Sequence, residues 1–191
     1  MASIPATRLM TAEEFMDADL GDGRFELVQG EVVRLPTLFY PHGAVVASLN
    51  GPLWTHGRRT GLGGGAIGSM IQTRRDPDTV RSADVAFTTY ARWPKEARRS
   101  TPEAPVKIPP VAPDVVVEVV SPNDRRSEIQ EKVEEYLAAG TLAVWVVRPD
   151  DRTVAIHRQG SAPTLHAEGD AIDDQPELPG FRCLVSDIFE D

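Results

Sequence analysis

Residues 113–140 read PDVVVEVVSPNDRRSEIQEKVEEYLAAG. Five valines (Val115, Val116, Val117, Val119 and Val120) surround one carboxylate, Glu118, and a charged segment follows at once. An apolar run of this kind predicts a central strand covered on both faces. Ser121-Pro122-Asn123-Asp124 stops the strand and offers N-cap residues for a helix. Ile129, Val133, Tyr136 and Leu137 then recur at helical spacing, and Gly140 supplies the C-terminal cap. LAVWVVR (142–148) predicts another buried strand, and RTVAIHR (152–158), after a Pro-Asp-Asp turn, pairs with it as a hairpin. This order implies an α/β domain with a mixed sheet, and it leaves a glutamate in the middle of the most apolar strand.

Upstream, Thr11-Ala12-Glu13-Glu14 is a capping-box pattern that starts a short helix running toward Ala18. RFELVQGEVVRL (24–35) shows two apolar runs hinged at Gln29-Gly30, a hairpin signal. A helix is expected from Pro41 to about Gly57, kinked or broken at Pro52. Gly61 to Gly65 read as turn material, because they lack the spacing and lysine of a phosphate loop. AIGSMIQTR (66–74) and VRSADVAFT (80–88) predict strands around the turn DPDT. Residues 91–112 hold five prolines and read as an irregular excursion with room for one short helix. After residue 160 the reading is of one or two short strands and a final helical turn at SDIF.

With 191 residues, 41% of them hydrophobic and 26% charged, the chain reads as one globular domain spanning 1–191. No apolar run approaches the roughly 18–20 residues of a membrane helix, and the N-terminus lacks the basic flank and apolar stretch of a secretory signal. The single cysteine, Cys183, makes a cysteine metal site improbable and fits a reduced thiol in a cytoplasmic protein. A net charge of −9 argues against a nucleic-acid partner at first sight. Its distribution softens that: residues 161–191 hold eight acids against Arg182, whereas Arg58 to Lys107 contains ten basic residues and five acidic ones. An acidic protein can therefore still present a basic face.

Glu118 calls for a partner, because an ionised carboxylate buried alone is very costly. A second acid, Asp84, also sits inside an apolar strand, SADVAF. Two carboxylates from neighbouring strands form a natural oxygen cage for a hard divalent ion such as magnesium. The plainer alternative for either acid is an arginine, Arg81 or Arg125. Lys132 lies about 60° from Ile129 and about 40° from Tyr136 around the predicted helix, at the border of its buried stripe. From there its ammonium can lean toward Glu118, or pair on the surface with Glu128 or Glu135.

The segment EVVSPNDRRSEIQEKVEEYLAAGTLAVWVV (118–147) resembles the signature of the Uma2 family, also called DUF820, of predicted endonucleases. MTAEEF, GDGRFELVQGEVV, HGAVVASL, VRSADVAF and PGFRCLV follow the same family order across nearly the whole chain. The resemblance implies a restriction-endonuclease-like core of the PD-(D/E)xK type, a central mixed β-sheet flanked by helices with extra N- and C-terminal β elements. By that resemblance Asp84 is the aspartate of the motif and Glu118 its second acid. Val120 stands in the place of the usual lysine, whose role passes to Lys132 on the helix, and Ala83 replaces the usual proline. Glu26, in FELVQGE, is similar to the acid contributed from the N-terminal part, which binds or orients the metal. Glu31, His42 and Gln130 are weaker candidates, and a histidine at a helix start more often caps or packs.

The implied function is Mg²⁺-dependent hydrolysis of DNA phosphodiester bonds, with Mn²⁺ as a possible substitute and a homodimer acting on duplex. Asp84, Glu118 and Glu26 would be metal ligands, with Lys132 beside them in catalysis. The alternative is a catalytically inactive nuclease fold that serves nucleic-acid binding or assembly.

Overall fold

The computed structural model describes residues 8–102 and 105–190. The first seven residues, which carry part of the signal reading, lie outside them, as do Glu103, Ala104 and Asp191. The chain opens with α1 (Ala12–Asp17), whose capping box forms as expected. Thr11 Oγ1 accepts the Glu14 N–H at 3.2 Å while Glu14 Oε2 accepts the Thr11 N–H at 3.0 Å. β1 (Arg24–Val28) and β2 (Glu31–Leu35) form the expected hairpin, with Gln29 and Gly30 at φ of 51° and 80° in its turn.

α2 (Tyr40–Thr60) continues through Pro52 rather than breaking there. Pro52 is exposed, so the hydrogen bond its missing N–H removes lies on the solvent side, and Gly61 in the left-handed region ends the helix. β3 (Gly63–Arg74) begins inside the glycine run that the sequence suggested was a turn. It is followed by β4 (Thr79–Thr89), a 3₁₀ turn (Lys95–Arg98) and β5 (Val115–Val119). α3 (Arg126–Ala138) is capped at Arg125, one residue beyond the expected N-caps. Asp124 instead accepts the Ser121 N–H at 2.8 Å and closes a turn. β6 (Ala143–Arg148), β7 (Thr153–His157), β8 (Thr164–Ala167), β9 (Ala171–Ile172), β10 (Cys183–Leu184) and α4 (Val185–Ile188) complete the chain.

The fold is α/β with a central mixed sheet in the order β2-β1-β4-β5-β6-β7-β8, and β3 pairs with β4 beside that path. Among the described residues only β5 and β6 run parallel, joined through α3. The valines of β5 alternate between two cores, as a doubly covered strand requires. Val115, Val117 and Val119 face Val45, Val46, Leu49 and Leu53 of α2 together with the C-terminal elements. Val116 faces Ile129, Val133 and Tyr136 of α3. No described helix is long and apolar enough to cross a membrane.

β4 sets up the rest. One edge pairs along most of its length with β3, from Gly63–Thr89 to Arg74–Thr79. The other edge pairs with β1 only at Leu27–Val80 and with β5 only from Val85 to Phe87. β1 and β5 therefore fork apart along β4, and residues 81–84 face the gap.

α2 lies unusually close to β3. A Cβ built on Gly57 would sit 2.7 Å from both the Gly63 carbonyl oxygen and the Phe87 ring. Gly57→Ala, which in an exposed helix would stabilise by about 1 kcal/mol, is expected here to destabilise by roughly 1–3 kcal/mol. Urea unfolding of the two proteins checks the sign.

Candidate active site

Three acids converge on the fork, one from each strand that borders it. Glu26 of β1 is fully buried; its Oε1 accepts the Ser82 N–H at 3.0 Å and its Oε2 accepts from Arg81 Nη1 at 3.0 Å. Asp84 of β4 accepts the Val119 N–H at 2.8 Å through Oδ2. Backbone donors that the fork leaves without a strand partner are thus taken by carboxylates, as buried N–H groups require. Glu118 of β5 points to the α3 side, is 4% exposed, and accepts the Tyr136 hydroxyl at 2.8 Å.

Lys132 reaches this site from α3. Its Nζ lies 3.2 Å from Glu118 Oε2 and 3.0 Å from Glu26 Oε1, with 17% of the side chain exposed. The surface alternatives are taken by others: Glu135 pairs with Arg81 at 2.6 Å, and Glu128 lies beside Arg125. Neither arginine that the sequence offered serves Glu118 or Asp84, since Arg81 holds Glu26 and Glu135.

Asp84, Glu118 and Lys132 line one small cavity of about 70 Å³ together with Arg24, His42, Ser82, Ser121 and Asp124. Glu26 stands behind Lys132, with its two oxygens held by Arg81, Ser82 and Lys132. Glu31 is exposed at the start of β2, and Gln130 donates to Glu134 on the outer face of α3. His42 is more central than its place at a helix start suggested. Its Nε2 lies 3.0 Å from Asp84 Oδ1 and its Nδ1 3.4 Å from Ser121 Oγ. Neither His42 nor Tyr136 could be tied to the acids by spacing, because their partners lie 42 and 18 residues away.

Burial pushes the Glu118 carboxyl up to about 7; Lys132 pulls it back, Asp84 and Glu26 push it further, and Tyr136 opposes them. Burial alone would lower the Lys132 ammonium, but Glu118 and Glu26 more than reverse this and hold it above its ordinary value. Lys132 therefore stays charged at neutral pH, and Glu118 is the group that takes up a proton near it. Among the described residues no three His, Cys, Asp or Glu side chains form a ready metal-binding group. Asp84 and Glu118 bring carboxylate oxygens from neighbouring strands to one cavity, and such donors fit a hard divalent cation that completes its shell with water.

Much of the basic stretch between Arg58 and Lys107 is spent on the fold. Arg81 is buried, Arg92 pairs with Asp114 at 3.1 Å, and Lys107 pairs with Asp17. Arg98 donates to the Trp93, Thr88 and Thr89 carbonyls and lies over the Tyr90 and Trp93 rings.

Residues 12–186 match the model of the Uma2 family, described as "Putative restriction endonuclease". A crystal structure from Anabaena variabilis ATCC 29413, described as that of "a putative nuclease belonging to DUF820", matches with a TM-score of 0.79. Its sequence is 16% identical, and the match covers 94% of this chain and 97% of that one. At that identity the likeness is one of fold. No curated protein sequence matches the chain.

The raised Glu118 pKa has a defined consequence for the metal-free protein. A carboxyl whose folded pKa is about 7 against an ordinary 4.5 contributes stability in full below pH 4.5, and that stability is lost as pH rises to 7. The loss is on the order of 3 kcal/mol. Glu118→Gln removes this titration, so the variant should gain stability relative to the parent between pH 5 and pH 8. Chemical unfolding of both proteins in chelator at the two pH values measures the difference.

Proposed function

The chain belongs to the Uma2 family, and on that premise we propose that it is a metal-dependent endonuclease hydrolysing DNA phosphodiester bonds. The observation that carries this reading is Lys132, which leaves the surface of α3 to stand between Glu26 and Glu118 at the cavity that Asp84 shares. Asp84 and Glu118 would hold Mg²⁺, or Mn²⁺ in its place. Such a cation, when bound, polarises a phosphate oxygen and acidifies its water.

The chain's own residues supply the rest. Lys132, kept protonated by two carboxylates, is a hydrogen-bond donor and point charge rather than a base, suited to a phosphate oxygen as charge builds on it. Glu26 acts through Lys132 as a positioning residue, a role its three existing partners favour over direct ligation. Tyr136 fixes the Glu118 carboxylate from behind. His42 and the Val119 N–H fix Asp84 in the same way, the outer-shell support that metal-ligating carboxylates need. The whole chain acts as one domain in this reading. A homodimer would bring two such sites together on one nucleic acid.

One observation favours the non-catalytic alternative, a binding or assembly domain. Glu26, Arg81, Lys132, Glu135 and Tyr136 close an ion-pair network around Glu118 that needs no cation.

The two readings part on metal binding and on cutting. In the nuclease reading millimolar Mg²⁺ raises the melting temperature of the parent protein, and Asp84→Asn or Glu118→Gln abolishes that rise. Lys132→Gln should lower the rate of plasmid nicking on the order of 100-fold or more, with circular dichroism confirming the fold. Absence of both the metal shift and nicking would favour the binding domain.

A further inference from the structure

A second, larger cavity of about 300 Å³ adjoins the carboxylate site, and we propose that it receives one unstacked base of the nucleic acid whose phosphate lies at Asp84 and Glu118. The proposal rests on the nuclease reading and names its substrate class: strands with unpaired bases, in preference to intact duplex.

The two cavities are continuous in the chain that lines them. His42, Val119 and Ser121 belong to both walls, and His42 spans them, with Nε2 on Asp84 and Nδ1 toward Ser121. The larger cavity opens beyond the carboxyl ends of β5 and β6, between Val119–Pro122 and Pro149–Arg152. The crevice outside parallel strand ends is where α/β sheets place ligands. Its volume is at the low end of those that hold small organic groups, roughly 300–1,000 Å³, and suits one base better than a stacked pair.

The lining chemistry selects a base over a phosphate. Val45, Val119 and Ile188 are buried and give an apolar floor. The one arginine described there, Arg152, donates to Glu168 at 2.6 Å and lies over the Phe189 ring. Asp150 and Glu190 at the rim would repel a phosphate, but as acceptors they suit exocyclic amino groups. Ser48 and Ser121 add hydroxyls that can donate or accept. Tyr40 stands at the mouth with 80% of its surface exposed, and its neighbour Phe39 is 75% exposed. Exposed aromatic rings beside a nucleic-acid site are stacking platforms for bases. Enzymes that pull a base out of its stack favour strands in which that base is already unpaired, because the unstacking cost is smaller.

The test uses the full chain with three labelled oligonucleotides: a single strand, its duplex, and a single strand carrying 2-aminopurine. Fluorescence anisotropy gives affinity, 2-aminopurine emission reports unstacking, and the same strands are incubated with Mg²⁺ to score cutting. The expected result is at least tenfold tighter binding of single strand than duplex, with 2-aminopurine emission changing on binding. Tyr40→Ala should reduce the preference at least fivefold and leave the Mg²⁺ melting shift intact. Ser48→Phe, which fills the cavity, should have the same effect. Equal binding and cutting of duplex and single strand overturns the base pocket while the nuclease reading stands, as does a preference indifferent to Tyr40→Ala. Folded parent protein that neither binds nor cuts any of the strands overturns the nuclease reading and this proposal together.

Discussion

The divergence of β1 and β5 along β4 is the constraint on which the rest depends. A continuous ladder would pair the backbone of residues 81–84 with a neighbouring strand. The fork withholds that partner, and buried N–H groups must be satisfied in some other way. Glu26 takes the Ser82 N–H and Asp84 takes the Val119 N–H. Carboxylates are thereby drawn into an otherwise largely apolar interior, and their charge has to be answered.

Arg81 from β4 and Lys132 from α3 give the answer, and both reach Glu26. Arg81 lies between Glu26 and Glu135 and ties β4 to α3. Lys132 ties α3 to β1 and β5 through Glu26 and Glu118. Buried ion pairs are a weak source of net stability, because desolvation offsets most of the attraction. Their effect here is on geometry, since the arrangement of three carboxylates and two cations fixes how α3 sits over the sheet. The balance is also incomplete. Burial, together with Asp84 and Glu26, still pushes the Glu118 carboxyl upward against Lys132 and Tyr136. The same interactions that close the fold leave Glu118 a buried carboxyl whose affinity for a proton is raised.

The match to a distant structure at 16% identity shows how little of this fold depends on particular side chains. Volume, strand order and helix cover suffice for the shape. Function on a shared fold must be sought in particular residues, and here those are the acids at the fork and the lysine on the helix.

The strands around Glu118, the capping box at Thr11, the hairpin turn at Gln29-Gly30 and the buried stripe of α3 were legible because each is encoded over a few residues by period, cap or turn chemistry. Where local rules misled, packing overruled them. Pro52 faces solvent and leaves α2 whole, and the glycines from Gly63 belong to a strand because they pair with β4. The helical border position of Lys132 was visible, and so was the oddity of two acids in apolar strands. The choice of its partners was not. Glu128 and Glu135 were nearer in sequence, yet Glu118 and Glu26 hold it, because only the stacking of α3 on the sheet brings them within reach. The same holds for His42, which meets Asp84 across 42 residues. Sequence by itself determined which segments become strands and helices and which of them carry a buried charge. The tertiary structure decided which charges face one another, since strand order, register and the fork in β4 are long-range facts that no local spacing contains.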